Sequence, residues 1–133
     1  MKTWLAVAAA CLGLGGCGLN VQSPDLFKVT RSGTGGRSLT LLVNDGGTIS
    51  CDGGKAKPLP DPQLLKARDL ANSLNQDVNL RFPRSAQSVF TYTVQVQKGT
   101  FSFPDTAASA RKELAQLELF VVQAAASPCG IGS

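Results

Sequence analysis

The residues able to carry chemistry in this 133-residue chain are few and far apart. It contains no histidine, so neither a Ser-His-Asp nor a Cys-His nucleophile can be assembled, and the side chain best suited to proton transfer near neutral pH is missing. Glu113 and Glu118 stand five residues apart, which places them on different faces of a helix rather than opposite each other as an acid–base pair. Asp45, Asp52 and Asp61 fall in or beside turns. Turn and helix-start roles account for all three, and their spacing is not that of a calcium-binding loop. Gly33-Thr34-Gly35-Gly36-Arg37-Ser38 is glycine-rich but lacks both the spacing and the following helix of a phosphate loop, so a hairpin turn is expected there. These observations point away from an enzyme, and no cofactor or metal is expected.

Cysteine is the informative type, at positions 11, 17, 51 and 129. The first two lie in a segment with the features of an export signal. Met1-Lys2-Thr3 is short and positive, and Trp4 to Leu14 is apolar but too short to span a bilayer permanently. The tetrapeptide that follows, Leu14-Gly15-Gly16-Cys17, resembles the bacterial lipobox, in which an aliphatic residue and two small residues precede an obligatory cysteine. The resemblance implies cleavage after Gly16 and a diacylglyceryl group on the Cys17 sulfur. Two acyl chains give the stable anchoring that one chain cannot. On this reading Cys11 leaves with the signal and Cys17 is modified, so Cys51 and Cys129 remain as a pair in an oxidising compartment, and a disulfide is expected. A redox or metal role fits less well, because a Cys-x-x-Cys spacing is absent and two cysteines cannot complete a tetrahedral site.

The remaining sequence divides into a signal peptide at residues 1–16, a membrane tether at 17–25 and a single domain at 26–133, a length that suits one hydrophobic core. The formal charge of +4 falls by one when Lys2 is removed. The basic residues are scattered and lack interleaved aromatics, which excludes nucleic acid as a partner and fits ordinary solubility.

Alternating and periodic patterns position the elements. Phe27 to Arg31 and Ser38 to Val43 read as strands joined by the glycine turn, and Thr48 to Cys51 as a third strand. The prolines of Lys55 to Pro60 disfavour both helix and central strand. Asp61 as N-cap and Pro62 at the first helical position open an amphipathic helix to about Asn75, with Leu64, Ala67, Ala71 and Leu74 on its inner face. A loop from Gln76 to Ala86 leads to the clearest strand, in which Phe90, Tyr92, Val94 and Val96 alternate with polar residues, and Lys98-Gly99 turns it into Thr100 to Phe103. Ala107 to Ala125 reads as a helix with Leu114, Leu117, Val121 and Ala124 inward, although Leu119 to Val122 alone would also suit a strand. The order β-β-β-α-β-β-α specifies an α+β domain: a small antiparallel sheet with two helices packed on one face and one disulfide.

Strings such as Leu39 to Thr48 and Cys51-Asp52-Gly53-Gly54 resemble small exported proteins of high-GC Gram-positive bacteria, a likeness that implies no activity. The order of strands, helix and hairpin is also similar to the bacterial subtilisin-inhibitor family. In that family a rigid loop between helix and hairpin enters the protease cleft, and the corresponding stretch here is Asn79-Leu80-Arg81-Phe82-Pro83-Arg84. The cysteines that brace the loop in that family are absent. The expected function is therefore a lipid-anchored extracytoplasmic binding or envelope-assembly module, with protease inhibition through residues 79–84 as the alternative. The expected partners are the membrane, through the lipid, and an envelope protein or a protease.

Overall fold

The computed structural model describes residues 23–131; the export segment, Cys17 and most of the tether lie outside them. Six strands, β1 (Asp25–Gly33), β2 (Ser38–Asn44), β3 (Thr48–Cys51), β4 (Lys57–Pro58), β5 (Phe90–Val96) and β6 (Gly99–Pro104), form one antiparallel sheet in the order β4-β3-β2-β1-β5-β6. Because side chains alternate across a strand, one face collects Phe27, Val29, Leu41, Val43, Ile49, Val94, Val96, Phe101 and Phe103, all buried. The other face carries hydroxyls, and in its middle row Thr30 pairs with Thr40 at 3.2 Å and Thr93 with Ser102 at 3.0 Å.

Two helices, α1 (Asp61–Leu74) and α2 (Lys112–Ala126), cover the apolar face. Leu64, Ala67, Leu70, Ala71 and Leu74 of α1 are buried, as are Leu114, Leu117, Phe120, Val121, Ala124 and Ala125 of α2. The domain is thus α+β with both helices on one face of an antiparallel sheet, in the order read from the sequence apart from the added two-residue strand β4. At the centre of the packing the Phe27 ring meets the Phe120 ring edge-on, with centroids 5.6 Å apart.

Four boundaries differ from the sequence reading, each for a local reason. The tether was expected to run through residue 25, but β1 begins at Asp25, because the Asn44 amide donates to Ser23 O and Asp25 Oδ1 and so draws the incoming chain into the sheet. Lys57 and Pro58 add a short edge strand in the segment expected only to connect. An edge position tolerates Pro58, whose nitrogen has no hydrogen to donate. Helix α1 is capped by Pro60 rather than Asp61, so Asp61 is its first residue and Pro62 its second. The expected helix from Ala107 is broken: Asp105–Ser109 forms a 3-10 turn and α2 starts only at Lys112. Arg111 is held extended at the break, and there its guanidinium reaches both Asp77 (3.1 Å) and Glu113 (2.8 Å). Leu119 to Val122 is helical.

Cys51 at the end of β3 is joined to Cys129 beyond α2, with Cα atoms 5.9 Å apart. The tail they fasten is also held by polar contacts. Lys57 Nζ donates to Pro128 O and Cys129 O, each at 3.4 Å, and Gln63 Nε2 to Ser127 O at 3.1 Å.

Candidate functional site

Strand β1 divides the sheet into two poles. Its first residue, Asp25, lies opposite Asn44, beside the ends of β5 and β2, while its last, Gly33, lies opposite Phe90. Eight residue steps of about 3.4 Å separate the poles by about 27 Å. The incoming chain is tied down at the first pole, where Asp45 N donates to Pro24 O at 2.9 Å. Two clefts lie at the second.

There the β1–β2 turn is built by glycine. Gly35 and Gly36 have φ of +90° and +84°, conformations an L side chain rarely adopts, and Gly33 N donates to Arg37 O at 2.7 Å across the turn. On the helix side of this turn is a cleft of about 520 Å³ between Arg31, Arg37, Leu39, Phe90, Val122 and Ile131. Arg31 follows Phe27 and Val29 in the inward-facing register of β1 and sits between Leu39 and Tyr92 in the sheet. Its guanidinium carbon lies 4.7 Å from the centre of the Phe90 ring, a cation–π contact. Phe90 is itself fixed from behind, since the Asp105 carboxylate accepts the N–H groups of Val89 (3.1 Å) and Phe90 (3.0 Å). Burial opposes ionisation of Asp105, but these hydrogen bonds outweigh it and hold the carboxyl below its ordinary range.

On the opposite side of the turn a second cleft, of about 540 Å³, lies between Ser32, Thr91, Ser102 and the loop that carries Phe82, Arg84 and Ser85. This is where the structure places the candidate binding loop. Phe82 is half-buried, its ring centroid 6.4 Å from that of Phe101 and 6.1 Å from that of Phe103, so the loop is fastened to the edge strand by an aromatic anchor. Leu80 N donates to Asp77 O at 3.0 Å. Arg81, Pro83 and Arg84 are exposed.

The other sequence candidates are dispersed. Asp45 pairs with Arg68 at 2.6 Å, Asp52 Oδ1 accepts Thr40 N at 2.8 Å, and Asp61 opens α1. Among the described residues, no three of the His, Cys, Asp or Glu side chains gather as metal ligands. Glu113 and Glu118 are not a pair with each other; each has a separate carboxylate neighbour. The Asp77 carboxyl, fully buried, is pushed up to about 6 by burial, then by the hydrogen bond and charge of Glu113, with Arg111 opposing. Glu118 is pushed up to about 7 by burial and then by the charge of Asp105. Burial first, then the charge of Glu118, also raises the Tyr92 hydroxyl, while Arg31 opposes. Asp77 and Arg31 escaped the sequence reading for different reasons. The burial of Asp77 depends on Arg111, thirty-four residues away, whereas Arg31 did leave a signal, a charge in the inward register of an apolar strand.

These raised carboxyls set a pH dependence. A carboxyl whose folded pKa exceeds its unfolded value keeps its proton better in the native state, so its contribution is present at low pH and lost as pH rises through the folded pKa. Asp77 and Glu118 therefore make the fold more stable at pH 5 than at pH 8. Asp105 and Glu113, held below their ordinary range, act in the opposite sense, and their contribution is lost mainly as pH falls below that interval. After allowance for solvent screening of Glu118, the difference is about 2 kcal/mol. Thermal unfolding across this range is expected to show a midpoint lower by several degrees at pH 8, with the slope reduced in Asp77→Asn and again in Glu118→Gln.

Comparison of the chain with protein-family models, with curated proteins and with solved structures finds no match.

Proposed function

We propose that the protein is a lipid-anchored extracytoplasmic binding module that acts without catalysis, fixed to the membrane through Cys17 and presenting the clefts around the β1–β2 turn away from it. The single observation that carries this reading is polarity. The chain enters the domain at one pole, and the two clefts lie at the other, about 27 Å along β1. The disulfide Cys51–Cys129 supports a location in an oxidising compartment. From Cys17 to Ser23 is six residue steps, a reach of at most about 22 Å, so an anchored domain is kept close to the lipid surface with its entry pole innermost.

Protease inhibition through residues 79–84 remains the second reading, favoured by the Phe82 anchor on β6, which gives the loop a fixed base without a disulfide. The anchoring step separates the two, because a free inhibitor has no need of lipid. In a bacterial host with a lipoprotein pathway, the wild type is expected in the membrane fraction with an intact mass corresponding to cleavage before Cys17 plus lipid. Cys17→Ala is expected to lose that mass and the membrane association. Wild-type protein recovered unlipidated in the medium would sink the proposal.

A further inference from the structure

The two clefts differ in chemistry, and the one on the helix side names its ligand. Building on the binding-module reading, we infer that the Arg31–Arg37 cleft receives a small carboxylate with an apolar body, the carboxylate on the two guanidinium groups and the body against Phe90, Leu39, Val122 and Ile131.

Three observations converge on it. First, the charge stands beside an apolar lining. Arg31, half-exposed, occupies an inward register position whose predecessors on β1 are the buried Phe27 and Val29. Second, Arg31 acts on the Tyr92 hydroxyl, but no carboxylate of the described residues forms an ion pair with either arginine. The ion pairs among the described residues are Arg68–Asp45, Arg111–Asp77 and Arg111–Glu113, and they leave out both Arg31 and Arg37. The one carboxylate on the rim, Asp52, gives one oxygen to the Thr40 N–H at 2.8 Å and forms no ion pair with either arginine. The Arg31 contact with Phe90 is a cation–π approach at 4.7 Å, and a carboxylate binds a guanidinium through paired N–H donors. Third, apart from Ser38 and Asp52, the rest of the wall is apolar, and most of it is accessible. Val122, on the solvent side of α2, is 53% exposed, and Phe90 and Ile131 are each partly exposed. A volume of about 520 Å³ lies within the range of small-molecule sites.

The test uses the purified lipidated protein in detergent micelles and four water-soluble probes of one shape: 3-phenylpropionate, 3-phenylpropanol, 3-phenylpropylammonium and 3-phenylpropyl phosphate, with binding read by NMR titration. The carboxylate is expected to bind, with the alcohol and the ammonium each at least roughly tenfold weaker. Arg37→Gln, on the exposed turn, is expected to weaken the carboxylate by about tenfold. Val122→Glu places a negative charge in the cleft at an exposed helical position without disturbing the core, and is expected to abolish binding. Arg31→Lys keeps the charge but loses the planar fork, and falls between. No binding of the carboxylate, equal binding of the ammonium, tighter binding of the phosphate, or unchanged affinity in Arg37→Gln and Val122→Glu would each overturn the assignment. Such a result, with Cys17 still lipidated, removes the ligand class and leaves the anchored-module reading standing.

Discussion

Replacing both Cys51 and Cys129 with alanine is expected to destabilise the domain by about 4 kcal/mol, because the bridge closes a segment of 78 residues and its loss frees the unfolded chain. For a domain of this size that lowers the thermal midpoint by on the order of 15 °C. The effect is also local. The residues after α2 keep Lys57 and Gln63 as donors, but both contacts are exposed or half-exposed and are worth little alone. Hydrogen exchange is therefore expected to show the last turn of α2 and residues 127–131 opening before the sheet does. Calorimetry of the double variant checks the magnitude, and a midpoint within about 2 °C of wild type would show that the tail is held by packing rather than by the bridge. The double alanine variant is preferable to serine, since Cys129 is 6% exposed and a buried hydroxyl there would add its own cost.

The second large effect lies in the core. Phe27→Ala is expected to cost about 3–5 kcal/mol, the range for removing a fully buried phenyl ring and leaving a void. Phe27 is 1% exposed and is held from two directions, by its strand neighbours Val43 and Val96 and by the edge of Phe120 on α2. The surrounding sheet is hydrogen-bonded on both sides of β1, so the cavity cannot readily collapse. A double-mutant cycle with Phe120→Ala is expected to return a coupling of about 1 kcal/mol for the edge-on ring pair. Leu65→Ala, at an exposed site on α1, serves as the control and is expected to change stability by less than about 0.5 kcal/mol. Equal costs at Phe27 and Leu65 would mean that the core is not where the buried side chains place it.

Much of this architecture was legible in the sequence because local pattern and tertiary environment agree. Strand β5 alternates so regularly that its inward set, Tyr92, Val94 and Val96, is the buried set, and the inner face of α1 follows from the spacing of Leu64, Ala67, Ala71 and Leu74. What escaped was set by distant partners. The helix expected from Ala107 is interrupted because Arg111 is drawn to Asp77 at the end of a different element, a contact no periodicity encodes. Strand β4 is only two residues and takes its identity from the edge it pairs with. At the candidate site, residues 79–84 were found from the order of elements, and their lodging on Phe101 and Phe103 became visible only once β6 was known to be an edge. Arg31 entered the sequence reading only as the end of a strand and one of the scattered basic residues, although its register places it inward. Cys17, on which the proposed location rests, is legible only as a motif and lies outside the described residues.

The arrangement that joins anchor to cleft is tested most directly by depth. On the proposed reading Cys17 carries lipid, and with Cys51 and Cys129 bridged no free thiol is left for a label, so single cysteines at Thr34, in the β1–β2 turn, and at Lys98, in the β5–β6 turn of the opposite pole, can each take a fluorophore. In vesicles whose lipids bear a spin label on the headgroup, the fluorophore at position 98 is expected to be strongly quenched and that at position 34 nearly unquenched. Equal quenching at the two sites, or stronger quenching at position 34, would contradict a module that holds its cleft away from the membrane.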